Sequence, residues 1–266
     1  MSASPLYRRS ELLDPKKHRR GRIAELTDWS VAATTHAVFL TATEFTHAAI
    51  EYPILFVRSG ERDANGRERV VPVALLGLVP GENLFVEGAR WDARYTPAFV
   101  RRYPFYSAPV AGVAQPAVFL DTAWSGYSET AGEPLFEADD KPAPALKRAL
   151  EFLERFELEA QRTRQFCDRL VELDLLKDMR ADVTLFDSRK LAVEGFHAVD
   201  EDKLQALPDA TVVELHRSGV LMLMQVHLLS LGNMRHLVER KAQRVRGEGG
   251  GSAPGGPAAP DPFAVA

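Results

Sequence analysis

Three groups of side chains in this sequence have the types and spacing to do chemistry. Glu44, His47 and Glu51 stand at i, i+3 and i+7. On a continuous helix they would put two carboxylates and an imidazole on one face, and Glu-x-x-His is half of what a di-iron helical bundle uses. No second Glu-x-x-His falls in the later helical segments, so no metal is expected and the preferred reading is a structural or surface cluster. Arg101 and Arg102 lie between Tyr95 and Phe105, with Trp91 upstream. Arginine among aromatic rings can stack on them and hold a carboxylate bidentately, which suits a peptide terminus or an acidic small molecule. The competing reading is an internal brace, one arginine pairing with Asp92 or Glu87. His227 sits in an apolar stretch with Ser230 three residues on. A buried imidazole could serve as a general base, but a core histidine bonded to a backbone carbonyl or to Ser230 is preferred.

The other histidines show no zinc spacing, and neither a Walker loop, a dinucleotide glycine pattern nor a nucleophile elbow occurs. No cofactor is expected, and no catalytic residue beyond His227 is named. Cys167 is the single cysteine; it rules out an internal disulfide and reads as a small buried hydrophobe on a helix.

The elements that must position these groups come next. Strands are predicted at residues 37–40, 54–57, 70–78, 83–86 and 117–121, with a hairpin tip at Asn65 and Gly66. Thr41 or Thr43 caps a short helix running to Ile50, and Thr96 caps another that starts at Pro97. The strongest pattern is a helix over residues 144–173, where Leu146, Ala149, Leu150, Leu153, Phe156, Ala160, Thr163, Cys167 and Leu170 recur at helical spacing. Residues 183–199 read as a second hairpin. Short helices follow at 200–206 and 208–218, and a last helix runs over 220–244 with a bend at Gly232, where glycine weakens it. The fold class is therefore α+β, an antiparallel or mixed β-sheet packed against a long helix and C-terminal helices.

Residues 1–30 form a polar, basic lead-in, 31–246 a single domain, and the Gly/Pro/Ala-rich residues 247–266 a disordered tail. A net charge of −4 and a pI near 6.0 give no global drive toward nucleic acid or anionic membrane. No apolar run reaches the length of a membrane-spanning helix and no signal peptide is visible, so a cytoplasmic location is expected.

An ordered set of short motifs carries a resemblance: EF at 44–45, YPILF at 52–56, VALLGL at 73–78, GENLFV at 81–86, YTPAFVRRYPF at 95–105, VDEDKLQALPD at 199–209, LHRSG at 215–219 and HLLSLGN at 227–233. Together, over roughly residues 35–240, they resemble the bacterial SapC family, named after a surface-layer-associated protein. The resemblance implies an accessory or binding role linked to surface-layer biogenesis, near outer-membrane receptor and halogenase genes, with a protein or peptide partner. It brings no catalytic mechanism. A peptide-transporter permease shares the label, but that is an integral membrane protein. The alternative is a small-molecule- or peptide-binding protein or enzyme in which Trp91, Tyr95, Arg101 and Arg102 meet His227 in one pocket.

Overall fold

The computed structural model describes residues 6–112, 115–184 and 190–248. The tail expected to be disordered lies outside the described residues from 249 onward, and 247 and 248 close the last helix.

The architecture is α+β and its sheets are antiparallel. Its centre is the hairpin of Ile54–Arg62 with Glu68–Leu75. Gly66 takes a positive φ of 78° at the turn, which glycine adopts without a Cβ clash. Ile54, Leu55 and Phe56 are all fully buried. Successive side chains point to opposite faces, so both faces of this strand are covered, as its continuous apolar run demands. Ala37–Phe39 pairs on the far side of Glu68–Leu75. Lys190–Val199 joins Ile54–Arg62 through the His197/Phe56 pair, and Leu176–Thr184 forms the outer edge. The second hairpin thus starts at Leu176, before the predicted 183, and its turn lies outside the described residues.

The long helix, Pro144–Glu172, has proline at its first position, where the missing N–H costs nothing. It spans two hydrophobic clusters. Leu146 and Leu153 pack with Phe105, Leu120, Leu135 and Phe136, whereas Phe166, Cys167 and Leu170 enter the main core with Phe45 and Phe56. The functional candidates lie where the helix passes from one cluster to the other.

The basic N-terminal stretch is woven into the fold. Ser10–Leu12 pairs with Ala117–Asp121, and Arg22–Ile23 pairs with both Tyr127–Ser128 and Glu133–Pro134. Asp121 gathers four donors, the backbone N–H groups of Arg8, Arg9 and Ala123 and the Tyr103 hydroxyl. Burial alone would raise its pKa, but these donors hold it below the usual carboxylate range. Leu6 and Tyr7 are buried in the main core. A further strand, Phe105–Ala108, pairs with Ala117–Asp121.

The predicted last helix is two helices, Val220–Ser230 and Asn233–Glu248, separated at Leu231 and Gly232. Ser230 ties the first of them to the sheet. Its Oγ accepts from Ile54 N at 2.9 Å and donates to the His227 carbonyl. Ser230→Ala is expected to leave a buried N–H without an acceptor and to cost about 1–2 kcal/mol. Urea denaturation measures it, and an unchanged midpoint would contradict this account. The second helix holds the 82–92 segment: Arg240 bonds Asp92 and the Leu84 carbonyl, and Arg244 bonds the Asn83 and Val86 carbonyls. Among the described residues no helix is long and apolar enough to cross a membrane.

Candidate functional site

Glu44 is the organising residue. It ends a 3-10 turn, Ala42–Glu44, and the α-helix that follows is only Phe45–Ala48. The predicted helix to Ile50 is not formed, so the i, i+3, i+7 face is lost. Glu44 is buried and its carboxylate accepts four hydrogen bonds. Oε2 takes Thr41 N and Thr41 Oγ1, both at 2.8 Å, and Oε1 takes the Tyr95 hydroxyl at 2.8 Å and Ala98 N at 2.7 Å. The last of these starts the helix Ala98–Arg101, whose N-cap is Pro97 rather than the predicted Thr96. A carboxylate more than fifty residues upstream therefore supplies the acceptor that a local cap would supply.

The other two members of the Glu44, His47, Glu51 trio face elsewhere. The exposed His47 ring stacks on Tyr95, with centroids 5.5 Å apart, and Glu51 accepts Arg94 N at 2.7 Å. Among the described residues no group of three or more His, Cys, Asp or Glu could hold a metal ion.

Arg101 and Arg102 extend from the Ala98–Arg101 helix onto the long helix. Arg101 Nε donates to the Thr96 carbonyl and Nη2 to the Tyr95 hydroxyl at 3.3 Å. Its guanidinium lies 5.6 Å from the Tyr95 ring centre and 5.4 Å from that of Phe152. Arg102 is held between Phe99 and Phe156, at 4.1 and 4.9 Å, and its buried Nε has no hydrogen-bond partner. It also stands beside the Tyr7 hydroxyl, whose pKa burial lifts to about 12 against the pull of that charge.

Among the described residues neither arginine makes an ion pair with a carboxylate. The carboxylates of the competing brace reading are taken by other residues: Arg90 pairs with both Glu87 and Asp92, and Arg240 also pairs with Asp92. Burial, and then the Glu44 charge, push the Tyr95 phenol well above its ordinary value, so it remains a donor to Glu44 at physiological pH.

Two clefts meet at Arg101 and Phe152. The larger, about 510 Å³, runs from residues 23–26 past Arg101–Phe105 to Trp124 and residues 145–152. The smaller, about 250 Å³, lies between Tyr95, Glu44 and Thr43 on one side and Phe152, Arg155 and Glu159 on the other. Trp91 lines neither. It is buried behind them, donating from Nε1 to the Tyr52 hydroxyl, which in turn donates to the Tyr95 carbonyl.

His227 is also remote from both clefts. It is fully buried, Nε2 accepting Val199 N at 3.0 Å and Nδ1 bonding the Ile54 carbonyl at 2.8 Å. Burial lowers its pKa to about 4, and with both ring nitrogens occupied it ties a helix to two strands. Burial pushes the Cys167 thiol far up, which makes it inert. The geometry therefore unites Tyr95, Arg101 and Arg102, and leaves Trp91 and His227 as internal supports.

A family model described as SapC matches residues 13–237. The chain belongs to the SapC family. No curated protein and no solved structure matches it. The SapC match contains Glu44, Tyr95, both arginines and every wall of the two clefts. Some walls of this SapC-family site escape sequence reasoning. Phe152 and Arg148 lie one turn apart on the long helix, outside its periodic apolar face. Leu26 and Trp124 are isolated apolar residues in loops. A pairing of aromatic with arginine at i, i+4 on the helix was the one available signal.

Proposed function

We propose that this SapC-family chain is a non-enzymatic accessory or binding protein of surface-layer or outer-membrane uptake systems, and that it grips a protein partner through Arg101 and Arg102. The observation that carries the reading is the arginine pair itself. Two adjacent guanidinium groups are laid on four aromatic rings with no carboxylate between them. Stacking limits their rotamers, so less entropy is lost when an anionic group arrives. Arg102, part-buried and without an ion-paired carboxylate among the described residues, gains more from such a ligand than a freely solvated cation. The family resemblance supports the cellular setting, and a single buried cysteine is compatible with a cytoplasmic location.

The test is a pull-down from the native host with the full-length chain and with Arg101→Glu, followed by mass spectrometry of proteins and small molecules. A stoichiometric protein of a surface-layer or uptake system is expected on the wild type, reduced at least about fivefold on the variant. Recovery of a stoichiometric small molecule with no protein would sink the reading.

A further inference from the structure

The larger cleft has a feature that the arginines do not explain. Residues 24–26 line its rim, in a segment, 24–28, that belongs to no helix or sheet and runs from the strand Arg22–Ile23 to Asp28, whose backbone is extended (φ −99°, ψ 105°). Ala24 N bonds the Gly126 carbonyl and Trp29 N bonds the Ala89 carbonyl. Between them, the backbone N–H and C=O groups of Glu25, Leu26 and Thr27 bond no described residue, and Glu25 and Thr27 are exposed. Unpaired peptide groups that continue from a strand along a cleft offer donors and acceptors to an added strand.

The charge of the cleft is equally specific. Its ionic lining is Arg101, Arg102, Arg148, Glu25 and Glu133. Arg148 Nη2 bonds both oxygens of Glu133 at 2.9 Å, which neutralises that pair. Arg101, Arg102 and the exposed Glu25 remain, one net positive charge. A single carboxylate matches that balance, whereas a phosphate dianion exceeds it. The remaining surface is apolar and aromatic, from Leu26, Pro104, Trp124, Ala149 and Phe152.

We propose that this cleft binds the carboxy-terminal segment of a partner protein. The terminal carboxylate sits on Arg101 and Arg102, the peptide backbone pairs with residues 25–27 as an added strand, and apolar side chains lie against Trp124 and Phe152. This deepens the reading of the arginine pair as the partner contact and rests on it. The unpaired rim favours a peptide over a small carboxylate, because only a peptide offers complementary backbone groups at strand spacing.

The experiment titrates the full-length protein by calorimetry with four probes. They are the tetrapeptide acetyl-AVLF with a free carboxylate, its carboxamide, the free acid N-methylated at its third residue, and 4-phenylbutyrate. The free acid is expected to bind at least about tenfold more tightly than the carboxamide, the N-methylated peptide and 4-phenylbutyrate. Arg101→Gln is expected to reduce the preference for acid over amide while the far-UV circular dichroism spectrum stays that of the wild type. That second readout separates a recognition role from a folding defect.

Equal binding of acid and amide would overturn the carboxylate assignment. Equal binding of 4-phenylbutyrate and the free acid, or no cost of N-methylation, would overturn the added-strand assignment. Absence of binding by all peptides would overturn the inference entirely. In each of these cases an Arg101-dependent protein in the pull-down leaves the broader reading standing. If that is missing as well, both fail.

Discussion

Acidification from about pH 7 to about pH 4.5 is expected to remove about 2–3 kcal/mol of folding stability through His227 alone. Its pKa is lowered by burial from 6.5 to about 4 in the folded protein. Above the unfolded value both states carry a neutral ring, and the contribution is fully present. As the pH falls between the two values, only the unfolded chain takes up the proton, so stability declines, and the loss is complete once the folded pKa is passed. The structural reason is that a proton on Nε2 would face the Val199 N–H it now accepts, inside a wall formed by Phe56.

Chemical denaturation of the wild type across this range, compared with His227→Gln, isolates the residue from the carboxylates that titrate nearby. The variant loses stability at neutral pH because its amide cannot span the same two backbone partners. Its pH curve is nonetheless expected to be flatter than that of the wild type. Parallel curves would show that the wild-type ring is already protonated or solvated in the folded state.

Glu44→Gln is expected to be the most damaging of the conservative exchanges near the clefts. The carboxylate offers only acceptors, and four donors converge on it. An amide keeps one oxygen and presents N–H groups to at least two of those donors, in a buried site where an unmet hydrogen bond costs about 1–3 kcal/mol. A total of about 3 kcal/mol follows, which at 2–4 °C per kcal/mol lowers the melting temperature by roughly 6–12 °C. Differential scanning calorimetry reads it directly, and a drop under about 2 °C would mean that the amide finds another hydrogen-bond pattern. The same exchange releases Tyr95 and the start of the Ala98–Arg101 helix, so binding at Arg101 is expected to weaken together with stability.

What was legible in the sequence follows from which interactions are local. The long helix and the Ile54–Leu55–Phe56 strand announce themselves because their burial is written as a repeat or a run. That Tyr95, Arg101 and Arg102 lie together was legible because they are sequence neighbours. Trp91 and His227 stand out by residue type alone, and type does not distinguish a ring that lines a cleft from one that braces the wall behind it. The tie from Glu44 to Ala98 and the meeting of Leu26, Trp124 and Phe152 exist only after folding, so no window of sequence contains them. Ser10–Leu12 has no apolar alternation of its own. Its place is set by backbone pairing to Ala117–Asp121. The division of the last helix at Gly232 was marked by a residue of low helix propensity, although whether such a residue bends or ends a helix is decided by packing.

The threading of the N-terminal stretch sets an order of events. Arg8 and Arg9 find their shared acceptor, Asp121, at separations of 113 and 112 residues. Arg22–Ile23 waits for Tyr127–Ser128 and Glu133–Pro134. At about 5–20 residues per second, a ribosome leaves the first strands without partners for roughly 6–22 s. Residues 8–23 thus wait for partners made more than about a hundred residues later, and the strand that precedes the rim docks only once those partners exist. Any protein that binds there recognises a chain in which residues 22–23 have already paired with partners more than about a hundred residues downstream.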